Sequence, residues 1–272
     1  MAPSPFTLEG KRALVTGASR GIGRAIAIAY AECGADVALI ARDTDALKEV
    51  SAQIQQLSRT ALVVPCDLSD PEQIRQAVAT TLDQFTELNI VVNNAGELGH
   101  AGPFTELLDE DWTTGFRVNF ESVVRMCRAV APHMLDRGSG SIVNMSSVAG
   151  LAGVPMLSTY AAAKAATISL SRTLAAEWAA RGVRVNALTP GWVATDMTQQ
   201  FTAHPEVGPG LLRAVPGGRF GTPEDVTGAA VYLASDAAGM VTGECLTLDG
   251  AMTAYHGGST MIDLLSLGRI KV

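Results

Sequence analysis

Short apolar runs alternate with longer stretches of helical spacing along most of the chain. Arg12–Thr16, Asp36–Ala41, Ala61–Pro65, Asn89–Asn93, Ser141–Met145, Arg184–Leu188 and Cys245–Leu248 are such runs, rich in Val, Ile and Leu. They are continuous rather than alternating, which suits parallel strands buried on both faces. Between them lie Ala-rich helical stretches. One begins near Gly21 and stops at Gly34, a C′ glycine. Asp43 caps a helix through Leu57, and Asp70 with Pro71 opens another. Asp109 is expected to cap a long helical region through Leu135, and Thr159–Arg181 is the longest uninterrupted Ala-rich helix. Repeated strand–helix units of this kind predict an α/β fold: one Rossmann-type doubly wound parallel sheet of about seven strands flanked by helices, in a single domain.

Two regions break the rhythm. Residues 190–221 are rich in Gly and Pro and follow a strand end, where ligands bind in such sheets. A long stretch without obvious structure there reads as a substrate lid. We therefore expect a catalytic domain over 1–250 that includes the lid, and a tail over 251–272 that sits at a subunit interface. Its MIDLLSL segment is expected to form a short helix.

Composition narrows the class. The chain has 272 residues, 47% of them hydrophobic, and a net charge of -7. That charge opposes binding to nucleic acid. Cys33, Cys66, Cys127 and Cys245 stand far apart with no CxxC spacing, so reduced thiols and a cytoplasmic location are expected. No cluster has metal-ligand spacing, no run is long enough to span a bilayer, and the N-terminal MAPSPFTLEG lacks the features of a secretory signal.

The first strand runs directly into TGASRGIGRAIA. Gly17, Gly21 and Gly23 at a strand-to-helix turn permit a tight bend and let a pyrophosphate approach the helix N-terminus. Ser19, Arg20 and Ile22 complete that turn. At the end of the second strand, where a carboxylate would bind the ribose of NAD, stand Ala41 and Arg42. Arg42 and Arg20 are both suited to forked bonds with a 2′-phosphate. This favours NADP over NAD, although Asp43 is placed where it could turn toward a ribose.

With Thr16, the Gly-x-x-x-Gly-x-Gly turn resembles that of the short-chain dehydrogenase/reductase family, and further motifs agree in order. The resemblance runs from about Leu8 to Gly250 and includes 3-oxoacyl-carrier-protein reductase-like and glucose or polyol dehydrogenase-like members. It implies an enzyme acting on CH–OH groups with NAD(P). It places Asp67 and Leu68 at the adenine, and Asn94, Ala95 and Gly96 of the Asn-Asn-Ala-Gly motif on the ribose side. Pro190, Gly191, Val193 and Thr195 would lie along the nicotinamide.

Tyr160 and Lys164, four residues apart, share a helix face. A phenol is a poor base at neutral pH, and a nearby ammonium with an oxidised nicotinamide would acidify it. The resemblance assigns catalysis to Asn119, Ser147, Tyr160 and Lys164, with Lys164 and Tyr160 also touching the cofactor. Ser146 is expected to bond backbone instead. Leu98, His100, Met156, Trp192 and Met197 are the substrate candidates, in a setting that suits a hydrophobic ketone, an acyl chain or a sugar. An NADPH-dependent carbonyl or 3-oxoacyl reductase is favoured, with an NAD-dependent sugar or polyol dehydrogenase as the alternative. A non-catalytic dinucleotide sensor is the reading from another class, opposed by the presence of Ser147, Tyr160 and Lys164. The substrate is a small carbonyl or alcohol, and the resemblance implies a homotetramer.

Overall fold

The computed structural model describes residues 4–255 and Leu267. Seven strands form one parallel sheet in the order β3-β2-β1-β4-β5-β6-β7: β1 is Arg12–Thr16, β2 Asp36–Ala41, β3 Ala61–Pro65, β4 Ile90–Asn93, β5 Gly140–Met145, β6 Val183–Pro190 and β7 Cys245–Leu248. The order reverses between β1 and β4, which pair with Val15 opposite Val92. A crevice opens there at the carboxyl ends of the strands, the usual ligand site in open α/β sheets. β6 extends to Pro190, beyond the apolar run that predicted it, because β7 pairs with it as far as Leu248.

The helices cover both faces. α1 (Gly21–Glu32), α2 (Thr44–Gln56) and α9 (Pro223–Ala234) form one layer. The other holds α3 (Pro71–Phe85), α4 (Asp109–Phe116), α5 (Ser122–Arg137) and α6 (Ser158–Trp178). Ala13, Val15, Val37 and Leu39 pack into the first core, while Leu14, Ala38 and Ile40 pack into the second. Alternate residues of one strand thus serve opposite cores, which is why the runs are continuously apolar. Small residues in α1 allow close approach to α9, and the buried Tyr30 hydroxyl donates to the Ala230 carbonyl at 3.0 Å.

Caps follow simple chemistry. The Asp43 carboxylate accepts from Ala46 N at 3.1 Å, and Asp70 accepts from Glu72 N at 2.8 Å. Asp109 is not a cap. It is the first residue of α4, whose entry is closed by Asp111 accepting from Leu108 N. The region predicted as one long helix is interrupted by a π-turn at Arg117–Glu121. The segment 190–221 contains two short helices, α7 (Gln199–Thr202) and α8 (Gly208–Arg213). Its neck is closed by Ala194 N donating to Gly221 O and Gly221 N donating to Trp192 O, both at 2.8 Å. Among the described residues no helix is long and apolar enough to cross a membrane. Apart from Leu267, the MIDLLSL segment lies outside the described residues.

Candidate active site

The ends of β1 and β4 are stitched together by side chains. The Thr16 hydroxyl donates to Val92 O at 3.2 Å and accepts from Asn94 N at 2.9 Å and Ala95 N at 3.1 Å. The Asn94 amide donates to Thr16 O at 2.9 Å and Gly17 O at 3.4 Å. Thr16 and Asn94 therefore shape the glycine turn itself. Gly17 and Gly21 have φ of 66° and 55°, a region open to glycine at little cost. At Gly23 a Cβ would collide with the Gly17 carbonyl and with Asn94 Nδ2.

The turn leads into α1, whose N-terminus has no side-chain cap and no acidic residue in its first turn. Aspartates close α2 and α3, whereas α1, like α5 and α6, begins without one. Unpaired N–H groups with the positive end of the helix dipole suit a diphosphate. The residues present thus fit a dinucleotide.

On the adenosine side Arg42 is exposed, whereas Asp43 is engaged in capping α2 rather than turned toward a ribose. Asp67 accepts from Ser69 N at 2.9 Å, and this bond, helped by the Arg42 charge, holds its carboxyl below the usual range. Leu68 is buried beside it. Arg20 pairs with Asp196 at the base of the lid, 3.6 Å away.

The chemical end gathers residues from four segments. Lys164 Nζ lies 5.5 Å from the Tyr160 ring centre, donates to Met145 O at 2.8 Å and is only 3% exposed. Burial pushes its ammonium down to about 8. Burial also raises the Tyr160 phenol, while a hydrogen bond with Ser147 pulls it the other way. The acidification expected from the ammonium together with an oxidised nicotinamide has to act against this burial. In a dry pocket, desolvation opposes charge on both groups. Burial thus favours the neutral phenol of Tyr160 over the phenolate.

Ser147 Oγ accepts from Ala149 N at 3.2 Å, whereas Ser146 Oγ donates to Lys164 O at 2.8 Å. Ser147 thus faces Tyr160, and Ser146 braces the helix backbone. Asn119 sits fully buried in the π-turn. Its Oδ1 accepts from Glu97 N at 3.1 Å, and its Nδ2 donates to Glu97 O at 2.8 Å and Gly115 O at 2.9 Å. A Cβ on Gly96 would lie 2.8 Å from Asn119 Oδ1 and 3.4 Å from Lys164 Nζ, so the strip between them admits only glycine.

The substrate candidates are less tightly gathered. Gly102 N donates to Met156 O at 2.9 Å, which joins the loop after β4 to the loop before α6. Met156 is 51% exposed and sits at φ 71°. His100 Nδ1 lies 3.8 Å from Asp111 Oδ1. Trp192 packs against Phe201 with ring centres 6.2 Å apart, and Met197 is partly exposed on the lid. Thr195 approaches Gly21, and a hydrogen bond from Thr198 Oγ1 reaches Val193 O. Pro190 ends β6, and Gly191 N donates to Leu248 O at 3.0 Å.

One supporting chain escaped the sequence reading. Asn93 Nδ2 donates to Asn144 Oδ1 at 2.8 Å, and Asn144 Nδ2 donates to Ser171 Oγ at 2.9 Å. It ties β4, β5 and α6 together under the site. An asparagine inside the apolar run Ser141–Met145 was the available signal, since a buried amide needs partners.

The family model described as enoyl-(acyl carrier protein) reductase matches residues 17–253. The chain is 38% identical to D-threitol dehydrogenase of Mycolicibacterium smegmatis over 91% of this chain and 95% of that one. It is 39% identical to 3-oxoacyl-[acyl-carrier-protein] reductase of Synechocystis over 91% of this chain and 99% of that one. Among solved structures, a gluconate 5-dehydrogenase from Burkholderia cenocepacia in complex with NADP and tartrate superposes with a TM-score of 0.88. That protein is 33% identical, and the match covers 92% of this chain and 98% of that one.

Proposed function

From the premise that the chain belongs to the short-chain dehydrogenase/reductase family, and so moves a hydride between a nicotinamide cofactor and a ketone or secondary alcohol, we propose that Tyr160 is its general acid and base and NADP(H) its preferred cofactor. The observation that carries this is the convergence of Asn119, Ser147, Tyr160 and Lys164 beside an uncapped helix N-terminus. The glycine turn would hold the diphosphate of the dinucleotide, whose nicotinamide would supply or accept the hydride. Tyr160 holds the proton at its phenolic oxygen and gives it to the substrate oxygen in reduction. The Ser147 hydroxyl, within hydrogen-bond reach of Tyr160, can turn its proton to that oxygen and stabilise charge developing there. Lys164 lends positive charge beside the ring, and Asn119 is a positioning residue that keeps Gly96 against Lys164.

Arg42 and Arg20 are the groups offered to a 2′-phosphate. Wild-type kcat/KM is expected to be higher with NADPH than with NADH. Hydrogen bonds to charged groups are worth about 1.5–3 kcal/mol, so Arg42→Ala should cut that preference about 10- to 100-fold. Initial rates with both cofactors test this, and a wild-type preference for NADH defeats the NADP assignment.

Electrostatics bear on the substrate. Between residues 97 and 116 stand Glu97, Glu106, Asp109, Glu110 and Asp111, with no lysine or arginine. The loop 148–159 carries no charge. Such a rim disfavours anions. It supports a neutral ketone or polyol over a sugar acid or an acyl chain on a phosphate-bearing carrier. In a rate panel, D-threitol is expected to exceed gluconate and a 3-oxoacyl thioester. Preference for gluconate would overturn the neutral-substrate reading.

Residues 1–250 are taken as one catalytic domain that includes the lid, with 251–272 at a subunit interface. Trp112, Phe116 and Phe120 form an aromatic stack along the outer side of α4 and the π-turn, with centroid spacings of 5.5 and 6.0 Å. The exposed Phe104 and Leu108 adjoin it. An apolar stripe of this kind supports pairing between copies, here in a homotetramer. Light scattering should give four times the 28.3 kDa chain mass. A purely monomeric protein contradicts it.

A further inference from the structure

Arg20 has one guanidinium and, once a cofactor is bound, two anions to choose between. It lies between the glycines of the phosphate turn with its side chain 76% exposed, and it pairs with the Asp196 carboxylate across 3.6 Å. Asp196 is held there by its neighbours. The preceding Thr195 lies over the turn, with Cγ2 3.5 Å from where a Cβ on Gly21 would be. Thr195 N donates to Thr198 Oγ1 at 3.1 Å, which fixes the base of the lid in a tight turn. These contacts place the Asp196 backbone near the N-terminus of α1, and its side chain, 69% exposed, reaches Arg20. Arg42, the other arginine offered to a 2′-phosphate, sits in a different balance. Its carboxylate neighbour Asp67 is already occupied by Ser69 N.

NADPH and NADH differ only at the 2′-position. The diphosphate is common to both cofactors, and with NADH no 2′-phosphate competes with Asp196 for Arg20. With NADPH, pairing Arg20 to the phosphate requires giving up the carboxylate, so the affinity is lowered by whatever the existing pair is worth. We propose that Asp196 is a specificity-determining residue for cofactor choice, which restrains the preference for NADPH by competing for Arg20. This rests on the reading of Arg20 as a 2′-phosphate ligand. It adds a lid residue to a discrimination otherwise located on the adenosine side.

The test is a fluorescence titration of NADPH and NADH with wild type, Asp196→Asn, Arg20→Gln and the double variant, read as the ratio Kd(NADH)/Kd(NADPH). An exposed ion pair is a modest competitor, so Asp196→Asn should raise the ratio about three- to fivefold. In the Arg20→Gln background the same substitution should leave the ratio unchanged. Any general repulsion between Asp196 and the diphosphate affects both cofactors alike and cancels. A ratio that stays the same or falls in Asp196→Asn overturns the proposal. An equal rise without Arg20 also overturns it, since the carboxylate would then act directly on the phosphate. The wild-type ratio alone judges the NADP assignment. A value below one would defeat that reading while the change on substitution still decides the role of Asp196.

Discussion

Tyr160→Phe is expected to lower kcat/KM by about 10²- to 10⁴-fold, the range that a positioned general acid or base contributes. Dinucleotide affinity should change little. Phe keeps the ring that lies beneath Lys164 Nζ at 5.5 Å, and the glycine turn and α1 are untouched. Only the oxygen that carries the proton is removed. Initial rates in both directions and a fluorescence titration of the cofactor separate the two effects. Retained turnover would show that the proton travels by another route. The pH dependence adds a signed expectation. Burial raises the Tyr160 phenol, so the proton-donating form dominates through neutral pH. Reduction should weaken as pH climbs into the alkaline range, and oxidation should strengthen over the same range. Tyr160→Phe should flatten both profiles.

Gly23→Ala is expected to be the most damaging conservative change in the phosphate turn. The added methyl would lie 2.8 Å from the Gly17 carbonyl carbon and closer still to its oxygen and to Asn94 Nδ2. None of these is a flexible side-chain end with room to move. Overpacking costs about 1–3 kcal/mol, and pushing Asn94 off Thr16 O and Gly17 O adds about 1–3 kcal/mol for the polar groups left unpaired. A chain of this size loses about 2–4 °C per kcal/mol, so Tm should fall by about 10 °C. Cofactor affinity should drop with it, because the methyl distorts the backbone that faces the diphosphate. Differential scanning calorimetry with and without NADPH measures both. A Tm within two degrees or so of wild type would show that the turn accommodates a side chain.

Elements that depend on local periodicity and cap chemistry were legible in the sequence. The seven strands stand where continuous apolar runs place them, because both faces of a parallel sheet are buried. Asp43 and Asp70 cap where their neighbours dictate. The sequence was silent where a side chain's partner is distant along the chain. The motif does not announce that the Asn94 amide donates to Thr16 and Gly17, 78 and 77 residues away. Nothing local announces that Arg20 meets Asp196. The phenol of Tyr160 followed the same rule. Its spacing to Lys164 was visible, but the desolvation that raises the phenol depends on packing that spacing does not report. Asp109 failed as a cap for a nearer reason: the helix begins one residue earlier, with Leu108 at the cap position and Asp111 accepting from its amide.

The closed neck between Trp192, Ala194 and Gly221 has a consequence for how this protein can change. The ends of the segment are hydrogen-bonded to each other, so its length and composition can vary at little entropic cost to the sheet. Beyond the neck, the Arg219 guanidinium grips Asp225 at the start of α9 and secures the exit side. Past Asp196, which is tied to the phosphate turn through Arg20, the stretch up to Arg219 can be exchanged without disturbing α6, on which Tyr160 and Lys164 are set.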